Sequence, residues 1–101
     1  MIRECLVKKK PITLKAIQYT QELTNDELRR WTNNKAFIMQ LERGDDECVV
    51  INTLEGTMKA SMGDWIMQGV TGEDFYPVRE DIMYQSYDFL RDWFISKGHL
   101  T

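Results

Sequence analysis

The chain is poor in the residues that usually form metal or catalytic sites, with two cysteines and one histidine among 101 residues. Cys5 and Cys48 lie far apart, and neither has the Cys/His spacing of a zinc site. A Ser-His-Asp or Cys-His site would have to use His99, close to the end of the sequence. No phosphate-binding or dinucleotide-binding glycine motif is present. The sequence therefore predicts no metal site, no cofactor and no catalytic residue.

Long apolar runs and a strong charge of either sign are also missing. No stretch approaches the ~20 apolar residues of a membrane span, and the first four residues do not resemble a signal peptide. The formal net charge is -3, so the field of the whole chain is mildly repulsive to phosphate. Lys8, Lys9 and Lys10 form a small basic cluster that we interpret as an exposed arm. We expect one cytoplasmic domain over residues 1–101 that binds neither membrane nor nucleic acid.

The first helix carries the clearest local signals in the sequence. Thr24 and Glu27 have the spacing of a capping box, and Leu23 and Leu28 have that of a hydrophobic staple. Asn33-Asn34 is a suitable stop. The predicted helix is short, so it must dock on a sheet to be stable.

Strand-like stretches separated by turn residues recur at the roughly 8–12-residue spacing of a meander. Gly56, Gly63 and Gly72 fall in the predicted turns, where at least one should have positive φ. We predict an α+β fold with a mainly antiparallel sheet of about four to six strands, built from hairpins or closed like a barrel. One short helix follows the first strand and buries Trp31 on a sheet face, and a second helix lies at the C-terminal end. The predicted strands cover residues 12–19, 37–41, 48–54, 57–60, 65–67 and 73–78.

The C-terminal part is compatible with two interpretations. Residues 80–83 could be a helical turn and 84–87 a strand, followed by a helix from Asp88. A single helix from Glu80 is the alternative. In either case the residues Phe89, Leu90, Trp93 and Phe94 would form one apolar stripe on a helix.

Several short motifs occur in a fixed order along the chain: a lysine-proline strand start at Lys10-Pro11, then Thr53–Gly56, Gly63–Ile66, Gly69–Glu73 and Tyr76-Pro77. In these motifs the sequence resembles a family of small proteins encoded by bacteriophages and prophages. The likeness spans most of residues 10–87, with Asp74 inserted before Phe75 and a tail that extends past the usual end. The resemblance implies a phage or prophage origin and a fold; the family has no assigned activity to carry over.

The candidate binding residues are Asp64, Trp65, Glu73, Asp74 and Tyr76. Two glycine turns could bring their carboxylates to one edge of a sheet, where paired carboxylates perform acid/base chemistry or bind a hard cation. We favour a structural role, in which Asp64 bonds to the backbone of its own turn.

The aromatic tail suggests self-association. Burial of the stripe formed by Phe89, Leu90, Trp93 and Phe94 against a second subunit would give a homodimer. The functional hypothesis is a phage-encoded accessory protein that binds a host or phage macromolecule without catalysis. The alternatives are a small ligand- or metal-binding enzyme that uses the turn carboxylates, and a minor virion component.

Overall fold

A computed structural model describes residues 3–6, 12–41 and 46–90 of the chain. Every strand pair in these ranges is antiparallel, which confirms the predicted α+β class. The elements, in chain order, are β1 (Ala16–Gln18), α1 (Asn25–Trp31), β2 (Ala36–Gln40), β3 (Glu47–Thr53), β4 (Gly56–Ala60), β5 (Trp65–Gln68), β6 (Phe75–Val78) and α2 (Glu80–Ser86).

The six strands divide into two three-stranded sheets, with the orders β1-β5-β6 and β2-β3-β4. In a simple meander β5 would pair with β4. Here the chain passes from one sheet to the other at the turn 61–64, and β5 pairs with β1. Within the described residues the two sheets do not close into a barrel. Local turn signals show where a strand ends, but they do not specify which earlier strand the next one joins.

The core lies between the two sheets and α1. Its fully buried members come from both sheets, because β3 and β4 supply Val49, Ile51 and Ala60 while β5 and β6 supply Ile66 and Phe75. Each large side chain in such a core contributes about 1.5–3 kcal/mol. The core is completed by Tyr19, Leu28 and Ala36.

Helix α1 begins and ends where its sequence signals predict. Thr24 Oγ1 accepts a hydrogen bond from Glu27 N at 3.2 Å, and Thr24 N donates to Glu27 Oε1 at 3.0 Å, which confirms the capping box. Asn33 and Asn34 both have left-handed backbone, with φ of 54° and 64°, and end the helix. Trp31 is partly buried against the core, with its ring centroid 5.6 Å from that of Phe75.

The first strand is shorter than its apolar alternation predicts. Residues 12–15 have no regular secondary structure and Ile12 is exposed, so only Ala16–Gln18 pairs with β5 as a strand.

The C-terminal part confirms the helical residues from Glu80 that both predicted alternatives contain, but otherwise follows neither of them. Residues 84–86 are helical, so the predicted strand at 84–87 is wrong. The helix from Glu80 ends at Ser86, Tyr87 is extended, and residues 88–90 are not helical. Phe89 and Leu90 therefore do not lie on a helical stripe, and Trp93 and Phe94 are outside the described residues. The helix ends before Tyr87 although neither proline nor glycine, the usual helix-ending residues, is present at that position.

The prediction that Gly56, Gly63 and Gly72 serve turns is confirmed, since their φ angles are 124°, 95° and 82°. Gly63 has a second constraint. A Cβ there would lie 3.0 Å from Glu80 Oε1, whereas a Cβ on Gly56 would meet nothing within 4 Å.

We expect Gly63→Ala to lower the free energy of unfolding by about 1–2 kcal/mol, because the added Cβ is penalised at positive φ. Gly72→Ala is the matched control, because its φ of 82° is similar and an added Cβ would meet only Gln68 Nε2, at the ordinary contact distance of 3.5 Å. Urea unfolding of both variants separates the two contributions. A loss at Gly63 that is smaller than the loss at Gly72 would contradict the close approach of Glu80.

Candidate functional site

The carboxylates singled out from the sequence lie at opposite ends of the β5–β6 hairpin. Trp65 pairs with Val78 at one end and Gln68 with Phe75 at the other. Asp64 precedes the first end, while Glu73 and Asp74 precede β6 at the second. With a strand rise of about 3.3 Å per residue, the two groups are separated by more than about 10 Å. The expectation that the two turns bring these carboxylates to one edge is therefore wrong.

Asp64 uses its carboxylate to hold backbone groups. Its Oδ2 accepts from Ser61 N at 3.0 Å inside the turn, and its Oδ1 accepts from Glu80 N at 3.3 Å, at the first residue of α2. The amide of Asp64 also donates to Ser61 O at 2.9 Å. This is the structural role that we favoured from the sequence. It additionally fixes the start of α2, which has no cap from Arg79 itself.

Glu73 and Asp74 present exposed side chains on the β5–β6 loop. Their contacts to the rest of the protein are made by backbone atoms: Asp74 O accepts from Gly69 N at 2.7 Å, and Glu73 O accepts from Lys35 Nζ. Among residues 3–6, 12–41 and 46–90, no three or more His, Cys, Asp or Glu side chains are grouped as metal ligands would be. In the described part of the chain, the carboxylates of Glu73 and Asp74 form no hydrogen bond or ion pair that would orient them.

A second network, not anticipated from the sequence, joins β1 to α2. Gln18 Nε2 donates to Gly63 O at 3.0 Å and to Glu80 Oε2 at 3.1 Å. The Tyr84 hydroxyl lies 3.4 Å from the same carboxylate oxygen. Because Gln18 and Glu80 are 62 residues apart, no local pattern could have connected them.

The two aromatic candidates behave differently. Tyr76 pairs with Met67 in the sheet, and burial raises the pKa of its phenol above the ordinary value, with a further contribution from Tyr87. Tyr76 is therefore neutral near pH 7 and is not a proton acceptor there. Trp65 is partly buried, and its indole Nε1 is buried without a hydrogen-bond partner.

Trp65 belongs to a group of three rings. Phe89 packs edge-on against it with centroids 5.1 Å apart, and Tyr84 lies 5.7 Å from Phe89. We call Trp65, Tyr84, Phe89 and the adjacent Leu90 the aromatic surface. Tyr84 is 57% exposed, Phe89 42% and Leu90 75%. Trp65, Phe89 and Leu90 were candidates from the sequence for separate reasons. Tyr84 was not a candidate, because the sequence left open whether it lies in a strand or in a helix.

The two cysteines occupy unlike environments. Cys48 is buried on β3, and Cys5 is exposed. Both are free thiols. Cys5 and Cys48 therefore do not form a disulfide with each other.

The chain matches no protein-family model, no curated protein and no solved structure. No helix within residues 3–6, 12–41 and 46–90 is long and apolar enough to cross a membrane. The resemblance to the phage protein family stays a hypothesis.

Proposed function

We propose that this protein is a non-enzymatic binding protein that contacts a protein partner through the aromatic surface. The observation that carries the proposal is the clustering of three aromatic rings, of which Tyr84 and Phe89 are substantially exposed, with the exposed Leu90 next to Phe89 in the chain. Side chains of this size are normally withdrawn from water, so a contiguous group at the surface is typical of an interaction site.

The composition of the surface suits a protein partner. Aromatic residues are enriched in the central parts of interfaces, where a few of them contribute most of the binding energy. The Tyr84 hydroxyl lies near the Glu80 carboxylate, so the surface has an apolar centre with a polar margin. The net charge of -3 argues against nucleic acid as the partner.

The turn carboxylates support catalysis less well than the aromatic surface supports binding. Asp64 is engaged by two backbone amides, and the carboxylates of Glu73 and Asp74 are exposed in the loop at the other end of the hairpin. General acid/base catalysis requires groups held within hydrogen-bond reach of one substrate. We therefore place the enzyme hypothesis behind the binding hypothesis.

The resemblance to phage and prophage proteins sets the context of the proposal. We propose that the protein acts in the cytoplasm of a bacterial host and that its partner is a phage or host protein. A minor virion component would have the same surface, but its partner would be a structural protein of the particle.

The experiment is parallel purification from phage-infected cells of the intact protein and two double variants. Tyr84→Ala/Phe89→Ala removes the aromatic surface, and Glu73→Ala/Asp74→Ala is the matched control at the other candidate position. Loss of two interface aromatics should weaken binding by at least about tenfold. We expect a partner that the intact protein and the carboxylate variant retain and the aromatic variant loses.

The opposite pattern would contradict the proposal. If the aromatic variant retained its partner and the carboxylate variant lost it, the binding site would lie on the β5–β6 loop. A partner found only in purified particles would instead assign the protein to the virion.

A further inference from the structure

The sheet β2-β3-β4 has two edges, and the fold closes only one of them. On the β2 edge, Ala36 N donates to Thr32 Oγ1 at 3.1 Å and Ile38 N donates to Asn25 Oδ1 at 2.9 Å. Two side chains of the α1 region thus occupy the amides that an added strand would need. Natural proteins protect their sheet edges in such ways because an unpaired edge recruits other strands.

The β4 edge has no such protection. Asn52 N donates to Lys35 O at 2.8 Å, so the backbone groups of Asn52 point towards β2. In an antiparallel ladder the residue opposite Asn52 then points away from β3. That residue is Thr57, and Lys59 follows it with the same orientation. Within the part of the chain that the structure describes, no hydrogen bond occupies the amide of either residue, and both residues are exposed.

We infer that β4 pairs with β4 of a second copy of this chain, antiparallel and about a two-fold axis at Met58. The β2-β3-β4 sheets of the two copies would then form one continuous six-stranded sheet. The homodimer predicted from the sequence would thus associate through the β4 edge and not through the aromatic tail. It does not depend on the aromatic surface or on the partner proposed for it.

The hydrogen-bonding pattern selects this register. With the axis at Met58, Thr57 of each copy lies opposite Lys59 of the other, and both residues have outward-facing backbone groups. The two N–H and two C=O groups of each edge are then paired, which gives four new hydrogen bonds. The Met58 side chains meet at the axis as a non-hydrogen-bonded pair, where side chains approach most closely. Met58 is partly exposed in the single chain and is available for this contact.

Charge complementarity favours a second copy over an unrelated strand. Glu55 lies in the turn before β4, two residues before Thr57, and its side chain is exposed. In the proposed register, Lys59 of each copy lies opposite Thr57 of the other. Its neighbours across the axis are Glu55 in the other copy's turn, within reach of a long side chain, and the other copy's Lys59. The two-fold axis produces the attractive Glu55–Lys59 pair twice and the repulsive Lys59–Lys59 pair once, so attraction outnumbers repulsion.

The test uses two charge-reversal variants, each analysed alone and then mixed. Glu55→Lys places two lysines at both diagonal pairs, and Lys59→Glu places two glutamates there. Each variant alone should dissociate about tenfold more readily than the wild-type dimer in sedimentation velocity. A one-to-one mixture should regain the wild-type dissociation constant, because both pairs of the mixed dimer have opposite charges.

A third variant tests the backbone pairing. Lys59→Pro removes an outward N–H that β3 does not use, a change that edge strands tolerate. This variant should keep the circular dichroism spectrum and melting temperature of a folded protein and should be monomeric. Trp93→Ala/Phe94→Ala reports on the tail and should stay dimeric.

Three results would overturn the inference. The first is a wild-type protein that is monomeric at high micromolar concentration, and the second is a mixture of charge variants that does not regain association. The third is a dimer that survives Lys59→Pro and is lost in Trp93→Ala/Phe94→Ala, which would assign the contact to the tail. If β4 bound a strand of another protein and the wild type did not self-associate, the first of these results would apply and the inference would be wrong.

Discussion

Replacement of Phe75 by alanine should lower the free energy of unfolding by about 3–5 kcal/mol, as expected for truncation of a buried aromatic side chain. Phe75 is 2% exposed and lies at the start of β6, in the cluster that both sheets share. Its ring also contacts Trp31 on α1. Truncation would leave a cavity where the two sheets and the helix meet, and such a site cannot collapse without moving all three.

The matched control is Phe89→Ala, which makes the same truncation at a 42% exposed position. It should cost less, about 1–2 kcal/mol, because the ring is only partly buried against Trp65 and its truncation leaves no enclosed cavity. Chemical denaturation of both variants gives the comparison. Similar losses at the two positions would mean that the sheets are not joined through Phe75.

Thr32→Val should destabilise the protein by about 1–3 kcal/mol, although it preserves shape and volume. The buried Thr32 hydroxyl donates to Leu28 O at 2.8 Å and accepts from Ala36 N at 3.1 Å. Leu28 O would still accept the Thr32 amide, but the buried Ala36 N–H would lose its acceptor. An unpaired buried donor loses its hydration without compensation.

Amide hydrogen exchange separates this effect from ordinary repacking. In Thr32→Val the Ala36 amide should exchange faster than in the wild type. In Thr32→Ser, which keeps the hydroxyl and loses only a methyl group, its protection relative to neighbouring amides should be unchanged. Equal protection of Ala36 in all three proteins would contradict the role of Thr32 at the β2 edge.

Elements defined by local chemistry were predicted well from the sequence. The capping box at Thr24, the asparagine stop after α1 and the three glycine turns all depend on residues within a few positions of one another. Such signals act on the backbone directly, through hydrogen bonds of short loops and through the φ range open to glycine. The tertiary context did not override them.

The errors share a different cause, which is contact between distant parts of the chain. The start of α2 at Glu80 was predicted correctly, but its end was not: the chain leaves the helix at Tyr87, and Phe89 then packs against Trp65, 24 residues earlier. The split between sheets depends on β5 pairing with β1 across almost 50 residues. The site prediction failed for the same reason, because it assumed that neighbouring turns lie at the same edge.

The aromatic surface could be predicted only in part. Phe89 and Leu90 were selected as interface residues because a predicted helix would place them on one apolar stripe, and Trp65 was selected from its motif. Tyr84 joins them because α2 continues to Ser86 and Tyr87 is then extended, which places Phe89 against both Trp65 and Tyr84. A helix continued through Phe89 would have given a different grouping.

The most direct test of the binding function is amide hydrogen exchange of the protein alone and in complex with the partner recovered from infected cells. Binding through the aromatic surface should slow exchange at residues 84–90 and at the Trp65 end of β5, with little change at 69–74. Protection confined to residues 69–74, with none at 84–90, would contradict binding through the aromatic surface and would indicate that the partner binds at the carboxylates of the β5–β6 loop.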